Sequence, residues 1–361
     1  HGEYRQSLRF NRYQEVAEVL LSQGKAYEDQ GAIRFKVPKD GSIQFNDLVR
    51  GEMSFNFSDV EDFVILRSDK SPTYHLASTL DDIDYEITII ARGEDILSST
   101  PKHMLLMQAL DADLPEFCHL PLLFGPDGKK LSKRHGDTSV VAFKEKGILK
   151  DAMINYLCLL GWSPGDDLEK FNLETAIEKF DLNDVLPNSA IFDDKKLLWL
   201  NGLYIRSKSN EDFSNEAIEK ITHSLQREIF EDELKRIKLI LPAVQERIET
   251  LNDIKEQIMF LLDEPFMVDN EDWISVNSEE AQAYLAKIRS EFIDLENFSL
   301  ENIEKVMRNS IESLGIKTKV GFQAARVSIT GTKISPPLFE SIFALGREGA
   351  IARLAQSIEN L

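Results

Sequence analysis

Six cations crowd one short stretch of this 361-residue chain. Between Gly128 and Gly147 stand Lys129, Lys130, Lys133, Arg134, Lys144 and Lys146, opposed only by Asp137 and Glu145. The tightest group reads Lys130-Leu131-Ser132-Lys133-Arg134, entered through Gly128-Lys129 and left through His135-Gly136. A glycine-flanked loop with this many cations can fold over a polyphosphate and neutralise it. Two ammonium groups near a triphosphate favour the charge that moves from the α- to the β-phosphate as pyrophosphate leaves. The same residues would also make a solvated basic turn. Position decides between the two, because the loop follows an apolar strand and precedes a helical domain, where a movable phosphate clamp would sit.

The elements that must position this loop are legible from their period. Residues 31–70 alternate apolar and polar in AIRFKVP, SIQFNDLV, MSFNF and DFVILRS, punctuated by Pro38, Gly41 and Gly51. That pattern predicts a small antiparallel sheet built from hairpins. DYEITIIARGED reads as a buried strand ending at a charged loop, and STPKHMLLMQAL opens a helix with a Ser/Thr cap and a Pro in its first turn. A strand, a loop and a helix in that order make half of a βαβ unit, where open α/β sheets place ligands. PLLFGPDG then predicts a short strand and a turn. Upstream, Tyr13, Val16, Val19, Leu20 and Leu21 make a helical stripe. From about Ser139 onward the chain reads as helical, broken at Gly147, Gly161–Pro164 and Pro187.

Composition narrows the class. With 42 Lys and Arg against 62 Asp and Glu, the formal net charge is −20, and 42% of residues are apolar. The length suits two or three domains. No stretch approaches the ~20 apolar residues of a membrane-spanning helix. Cys118 and Cys158 sit inside apolar runs and read as buried reduced thiols, which points to the cytosol. Two Cys and six scattered His do not supply the close-spaced set of about four ligands that a zinc site needs. The acidity is concentrated between residues 208 and 300, with 10 basic and 22 acidic residues, whereas residues 301–361 hold 8 and 6. A solvated helix face explains such acidity, and local patches rather than totals decide phosphate contact. A P-loop NTPase is disfavoured because no GxxxxGK[ST] occurs.

KLSKR resembles the KMSKS-type signature of class I aminoacyl-tRNA synthetases, and the whole chain resembles the glutamyl-tRNA synthetase family. The matching strings run in order: YRQSLRFNRY, SPTYHLAS, ARGEDILSSTPKH, HLPLLFGPDGKKLSKRHGDTSV, YLCLLGW, FDDKKLLWLNGLYIR and ITGTKISPPLFESIFALGREGAIARL. The resemblance implies an α/β fold with a class I, Rossmann-like catalytic core and a small β-rich insertion, then an all-α half that binds tRNA and its anticodon. It implies glutamate-binding roles for Tyr74 and Arg92. An arginine offers a carboxylate a bidentate fork, and a tyrosine offers a hydroxyl at fixed reach. Ser78 stands where the family has an asparagine that contacts substrate. Glu94 and Asp95 match the acidic pair of the nucleotide pocket, and Leu122 and Leu123 match the segment whose backbone faces adenine. Lys133 matches the ATP-binding lysine of the signature, with Lys130, Ser132 and Arg134 around it. Lys196, Trp199 and Asn201 match a helical region against the inner side of the tRNA, although Trp199 also reads as helix-packing core and Asn201 as a helix C-terminus. Arg326, Lys333, Arg347 and Arg353 fall in the anticodon-binding helices, where cations would meet phosphates.

Two departures from the family pattern stand out. The segment carrying the HIGH-type signature is not found, since YRQS belongs downstream of it; a sheet without that strand is expected to expose an edge. GKAYEDQGAIRFKVP joins two family strings by a short connection, so the helical part of the acceptor-binding insertion is expected to be absent. The expected organisation is a remnant of the core over 1–26, a shortened insertion over 27–78, core with the KLSKR loop over 79–136, a stem-contact region over 137–206 and an anticodon-binding domain over 207–361. The helical periodicity of the last part separates the chain from the glutamine enzyme of the same subclass, whose anticodon region is β-barrel. The expected activity is ATP-dependent, Mg²⁺-assisted joining of L-glutamate to tRNA-Glu, by a cytoplasmic monomer with no zinc and no membrane. The alternative is a fragment or degenerate relative that binds tRNA without charging it.

Overall fold

Alternating segments become strands, and their pairing sets the geometry of the first part of the molecule. The computed structural model describes residues 4–132, 134, 136, 138–262 and 266–359. The backbone divides into two units, residues 1–136 with 155–193, and residues 137–154 with 194–361.

In the first unit, β1 (Ala26–Asp29), β2 (Ala32–Phe35) and β5 (Phe63–Leu66) form an antiparallel sheet in the order β1-β2-β5. A second sheet has the order β4-β3-β7-β6 and contains β3 (Ser42–Asp47), β4 (Gly51–Asn56), β6 (Ile89–Gly93) and β7 (Glu116–Leu120). The β3–β4 hairpin is antiparallel, whereas β3 runs parallel to β7 and β7 parallel to β6. The hairpin expected to lie in a separate insertion is therefore hydrogen-bonded into the core sheet, with Asp47 opposite Phe117. β6 forms one edge of that sheet. The helices Phe10–Ser22, Tyr74–Asp84 and Thr100–Ala109 bury Tyr13, Leu20, Leu76, Leu80, Met104 and Leu106 with Ile65 and Phe117 in one apolar cluster. A short parallel pair, β8 (Leu123–Phe124) with β9 (Ala190–Ile191), ties residues 155–193 to this unit, and the Tyr156 hydroxyl donating to the Asp193 carbonyl at 3.0 Å joins the two ends of that stretch.

The second unit is helical, as its periodicity predicts. Ser209, Asp269, Ser278 and Ser299 each cap a helix by accepting from the N–H three residues on. Its core joins Ile237, Leu241, Tyr284, Ile288, Phe292, Met307, Ala324 and Leu354. Gly321, in the helix Thr318–Thr330, lets this core close. A Cβ there would stand 2.4 Å from Ile311 Cδ1 and 3.0 Å from the Tyr284 ring, both in buried side chains. Gly→Ala in an open helix gains about 1 kcal/mol, but overpacking costs about 1–3 kcal/mol. Gly321→Ala is therefore expected to lower the thermal midpoint by several degrees; a raised midpoint would contradict the close approach.

Candidate active site

Strand register assembles the centre of the first unit. β6 and β7 pair with Arg92 directly opposite His119, and β3 brings Asp47 to the other side of β7. Three residues far apart in the chain are thereby lined up across three strands. Asp47, His119, His103 and Thr100 are all buried. Arg92 Nε donates to His119 Nε2 at 3.1 Å, Nη1 meets His103 Nδ1 at 3.1 Å, and Nη2 donates to the Thr100 hydroxyl at 2.8 Å. Guanidinium has five N–H bonds and no acceptor, so three internal bonds leave one N–H on each terminal nitrogen for an incoming carboxylate. Tyr74, half-exposed at the start of the helix Tyr74–Asp84, sets its ring 5.4 Å from that of His103. Ser78 lies one helical turn after Tyr74, on the same face.

The electrostatics of this centre favour neutral histidines. Burial, reinforced by Arg92, pushes the His103 pKa down to about 3. Burial likewise lowers His119, against the opposing pull of Asp47. For Asp47, burial opposes ionisation, but hydrogen bonds from His119 and from the Arg50, His119 and Val49 N–H groups outweigh it and hold the carboxyl below its usual range. Asp82 shows the opposite balance: burial pushes it up to about 6, although Arg92 pulls the other way.

Each residue of Arg92-Gly93-Glu94-Asp95 has a distinct task. Glu94 pairs with Arg50 and accepts the Leu122 N–H at 3.1 Å. Asp95 pairs with Lys130 at 2.8 Å. At Gly93 a Cβ would stand 2.6 Å from Asp95 Oδ1, so a side chain there would push the carboxylate off Lys130. The lysine sits on a hairpin in which the Gly125 N–H donates to Lys129 O at 2.8 Å, the Leu131 N–H to Leu123 O at 2.8 Å, and Phe124 bridges Lys130. The expected turn at Pro126–Gly128 is present, closed by the Gly128 N–H on Gly125 O at 3.0 Å. The Leu122 N–H and Leu123 C=O, both from the segment matched to the adenine-facing backbone, are occupied by these contacts. Ser132 and Arg134 are exposed. Lys133, the residue matched to the ATP-binding lysine of the signature, lies outside the described residues, as do His135 and Asp137.

In the second unit the expected RNA-facing residues divide. Trp199 is 39% exposed on the helix Asp194–Arg206, so it is not the core residue its type suggests. Asn201 is buried in mid-helix, not at a C-terminus. Its Oδ1 accepts the Leu149 N–H at 2.8 Å and its Nδ2 donates to Gly147 O and Glu249 O at 3.2 and 2.6 Å. With its amide so engaged and its side chain buried, Asn201 fastens its helix to two loops. Lys196 lies half-buried on the same helix. Arg326 donates to Ser335 O, Ser335 Oγ and Pro336 O at 3.3, 2.6 and 2.7 Å. Burial, then Arg247, lowers its pKa. Arg347 binds the Leu295 carbonyl at the end of the helix Glu279–Asp294, and Arg353 binds the carbonyls of Ile329 and Phe260. These arginines satisfy backbone oxygens, several at helix ends.

The comparisons agree with this architecture. Residues 28–199 match the catalytic domain of class I tRNA synthetases for E and Q, and residues 216–358 match an anticodon binding domain. Fold and site define a class I tRNA synthetase. The glutamate–tRNA ligase of Dehalococcoides mccartyi is 36% identical over all of this chain and 83% of its own length. Glutamate–tRNA ligase 2 of Caldicellulosiruptor saccharolyticus is 37% identical over 92% of this chain and 68% of its own. The crystal structure of a glutamate tRNA ligase from Elizabethkingia meningosepticum, in complex with its amino acid, superposes with a TM-score of 0.78 at 32% identity, covering 96% of this chain and 71% of that one. The chain belongs to the glutamate–tRNA ligase family.

The raised Asp82 pKa has a stability consequence. Between its unfolded value of about 3.9 and about 6, the folded protein holds a proton that the unfolded chain has released. Its contribution to stability therefore rises as pH falls through 6 and is unfavourable above it, by about 1–3 kcal/mol at ~1.4 kcal/mol per unit. Asp82→Asn is expected to raise the thermal midpoint at pH 7.5 and to lose that advantage near pH 4. A difference that does not change with pH would refute this account.

Proposed function

We propose that this chain joins L-glutamate to tRNA-Glu in two steps at the site built around Arg92. In the first, an oxygen of the glutamate α-carboxylate attacks the α-phosphorus of ATP; the bond to the β-phosphate oxygen breaks, giving glutamyl-adenylate and pyrophosphate. In the second, a hydroxyl of the terminal tRNA ribose attacks the acyl carbon and AMP leaves. What supports the reading above all is Arg92, a guanidinium held on three sides with two N–H bonds left, in a chain of this family. Tyr74 and Ser78 would line the same amino-acid pocket, and proximity accounts for much of the first step.

Lys130 and Lys133 are proposed to draw charge onto the departing pyrophosphate. Lys130 is free to do so at small cost. Its pair with Asp95 is half-exposed on both sides, and such pairs are worth about 0–1 kcal/mol, so a triphosphate can readily take the lysine over. Glu94 and Asp95, with the Leu122–Leu123 segment, Ser132 and Arg134, are proposed to border the nucleotide. Mg²⁺ is proposed to enter with ATP and to share the charge of the triphosphate. Lys196 and Trp199 remain the candidates for tRNA contact on their helix. We further propose a cytosolic monomer, a location that suits the unpaired thiols of Cys118 and Cys158; no helix among the described residues is long and apolar enough to cross a membrane.

The test is glutamate-dependent pyrophosphate exchange and charging of tRNA-Glu. Lys130→Ala and Lys133→Ala are each expected to slow adenylate formation by about 10²-fold, the scale of one lost transition-state contact, while leaving tRNA binding intact. Arg92→Lys is expected to raise the KM for glutamate, because a point charge cannot replace the fork. Unchanged rates in the lysine variants would remove the loop from the mechanism, and charging of a different amino acid would overturn the reading.

A further inference from the structure

A guanidinium can only donate, so every atom it touches must present a lone pair. His119 Nε2 faces Arg92 Nε–H, and the Thr100 hydroxyl also lies 3.1 Å from it. Nε2 must therefore be the bare nitrogen of a neutral imidazole, and the ring proton must sit on Nδ1. That proton points at Asp47 Oδ2, which lies 2.5 Å from Nδ1. Asp47 is itself held by its other oxygen: Oδ1 accepts the N–H groups of Val49, Arg50 and His119 at 3.1, 2.9 and 3.2 Å. The two oxygens do different work, one fixing the carboxylate to the β3–β4 turn and one fixing the tautomer of His119.

We propose that Asp47 and His119 are positioning residues for the amino-acid site, in which the carboxylate sets the histidine tautomer and the histidine sets the orientation of the Arg92 fork. Free imidazole favours the other tautomer, with its proton on Nε2. In that form an N–H would be aimed at the Arg92 N–H, and two donors in contact in a buried site cost about 1–3 kcal/mol. The guanidinium would turn away, and its two remaining N–H bonds would no longer meet a substrate carboxylate together. This inference rests on the reading that Arg92 receives the amino acid.

Asp47→Asn separates the two tasks. Three backbone N–H groups compete for the single amide oxygen, so the amide nitrogen falls opposite His119 Nδ1. A donor there drives the ring proton to Nε2. In the full chain, Asp47→Asn is expected to raise the KM for glutamate about tenfold in pyrophosphate exchange, with the KM for ATP within about twofold. In long-range ¹H–¹⁵N spectra of histidine-labelled protein, the His119 signals, assigned by their loss in His119→Gln, are expected to read Nδ1–H in the parent and Nε2–H in the variant. His119→Gln can offer Arg92 a carbonyl oxygen that needs no help from Asp47. Adding Asp47→Asn to His119→Gln is therefore expected to change the glutamate KM of that variant little, because the ring whose tautomer Asp47 sets is gone.

An Nε2–H tautomer in the unsubstituted protein overturns the proposal without reference to any variant. So does a raised KM in Asp47→Asn with the tautomer unchanged, or the same KM penalty for Asp47→Asn in the presence and absence of His119→Gln. A normal glutamate KM in Arg92→Lys would instead refute the placing of glutamate at Arg92, leaving the tautomer measurement to judge the Asp47–His119 pair.

Discussion

An arginine cannot shed its charge, and the centre of the first unit is arranged around that constraint. Arg92 stands opposite His119 in the parallel pairing of β6 with β7, and the strand on the other side of β7 ends at Asp47. A partly buried cation is costly unless the N–H bonds that lose water find acceptors. Two imidazoles and a hydroxyl supply them, and burial keeps both imidazoles neutral so that they can accept. A slip of the β6–β7 register by one residue would send Arg92 to the opposite face and leave His119 without its donor. The sheet thus does more than support the site: its hydrogen-bond register decides which atoms meet.

Much of this was legible in the sequence, for reasons that can be named. The strand at ARGED, the helix behind STPKH and the turn at PDG each follow from short-range rules, namely β-branched runs, a Pro in a first helical turn, and turn chemistry; the strand lies at a sheet edge with Ile89 exposed, and so is not the buried strand its β-branched run suggests. The glycine-flanked lysines were conspicuous because six like charges seldom crowd together without a counterion. Asp47 and His119 were invisible to the same reasoning. An aspartate ending a strand reads as a turn residue, and a histidine before Leu-Pro reads as core; nothing local says that they touch across 72 positions. The β3–β4 hairpin is a similar case, since an antiparallel pattern does not reveal that its first strand also pairs in parallel with β7.

The arginines of the helical half teach a related lesson. Sequence shows a cation in a region matched to RNA binding and suggests a phosphate. Arg326, Arg347 and Arg353 hold backbone carbonyls, and Arg353 lies 3.8 Å from the centre of the Phe266 ring, its pKa held down to about 10 by burial. Helix ends leave carbonyls unsatisfied, so a bundle of short helices has its own demand for cations before any ligand arrives. Asn201 answers a similar demand with an amide. Type alone cannot distinguish a side chain that faces a polyanion from one that fastens the scaffold, whereas its burial and partners can.

The acidic helix faces between residues 208 and 300 have a consequence for how a polyanion would approach. Pairs such as Lys235 with Glu231 and Asp232 are almost wholly in solvent, where carboxylates repel a nucleic acid across roughly a Debye length of ~8–10 Å. Such repulsion narrows the directions from which encounter succeeds. Added salt then acts with two signs, weakening the cation–phosphate contacts while relaxing the barrier against every other orientation. For such a protein, the slope of log affinity against log salt counts the difference between attraction and repulsion, and it understates the number of phosphates touched.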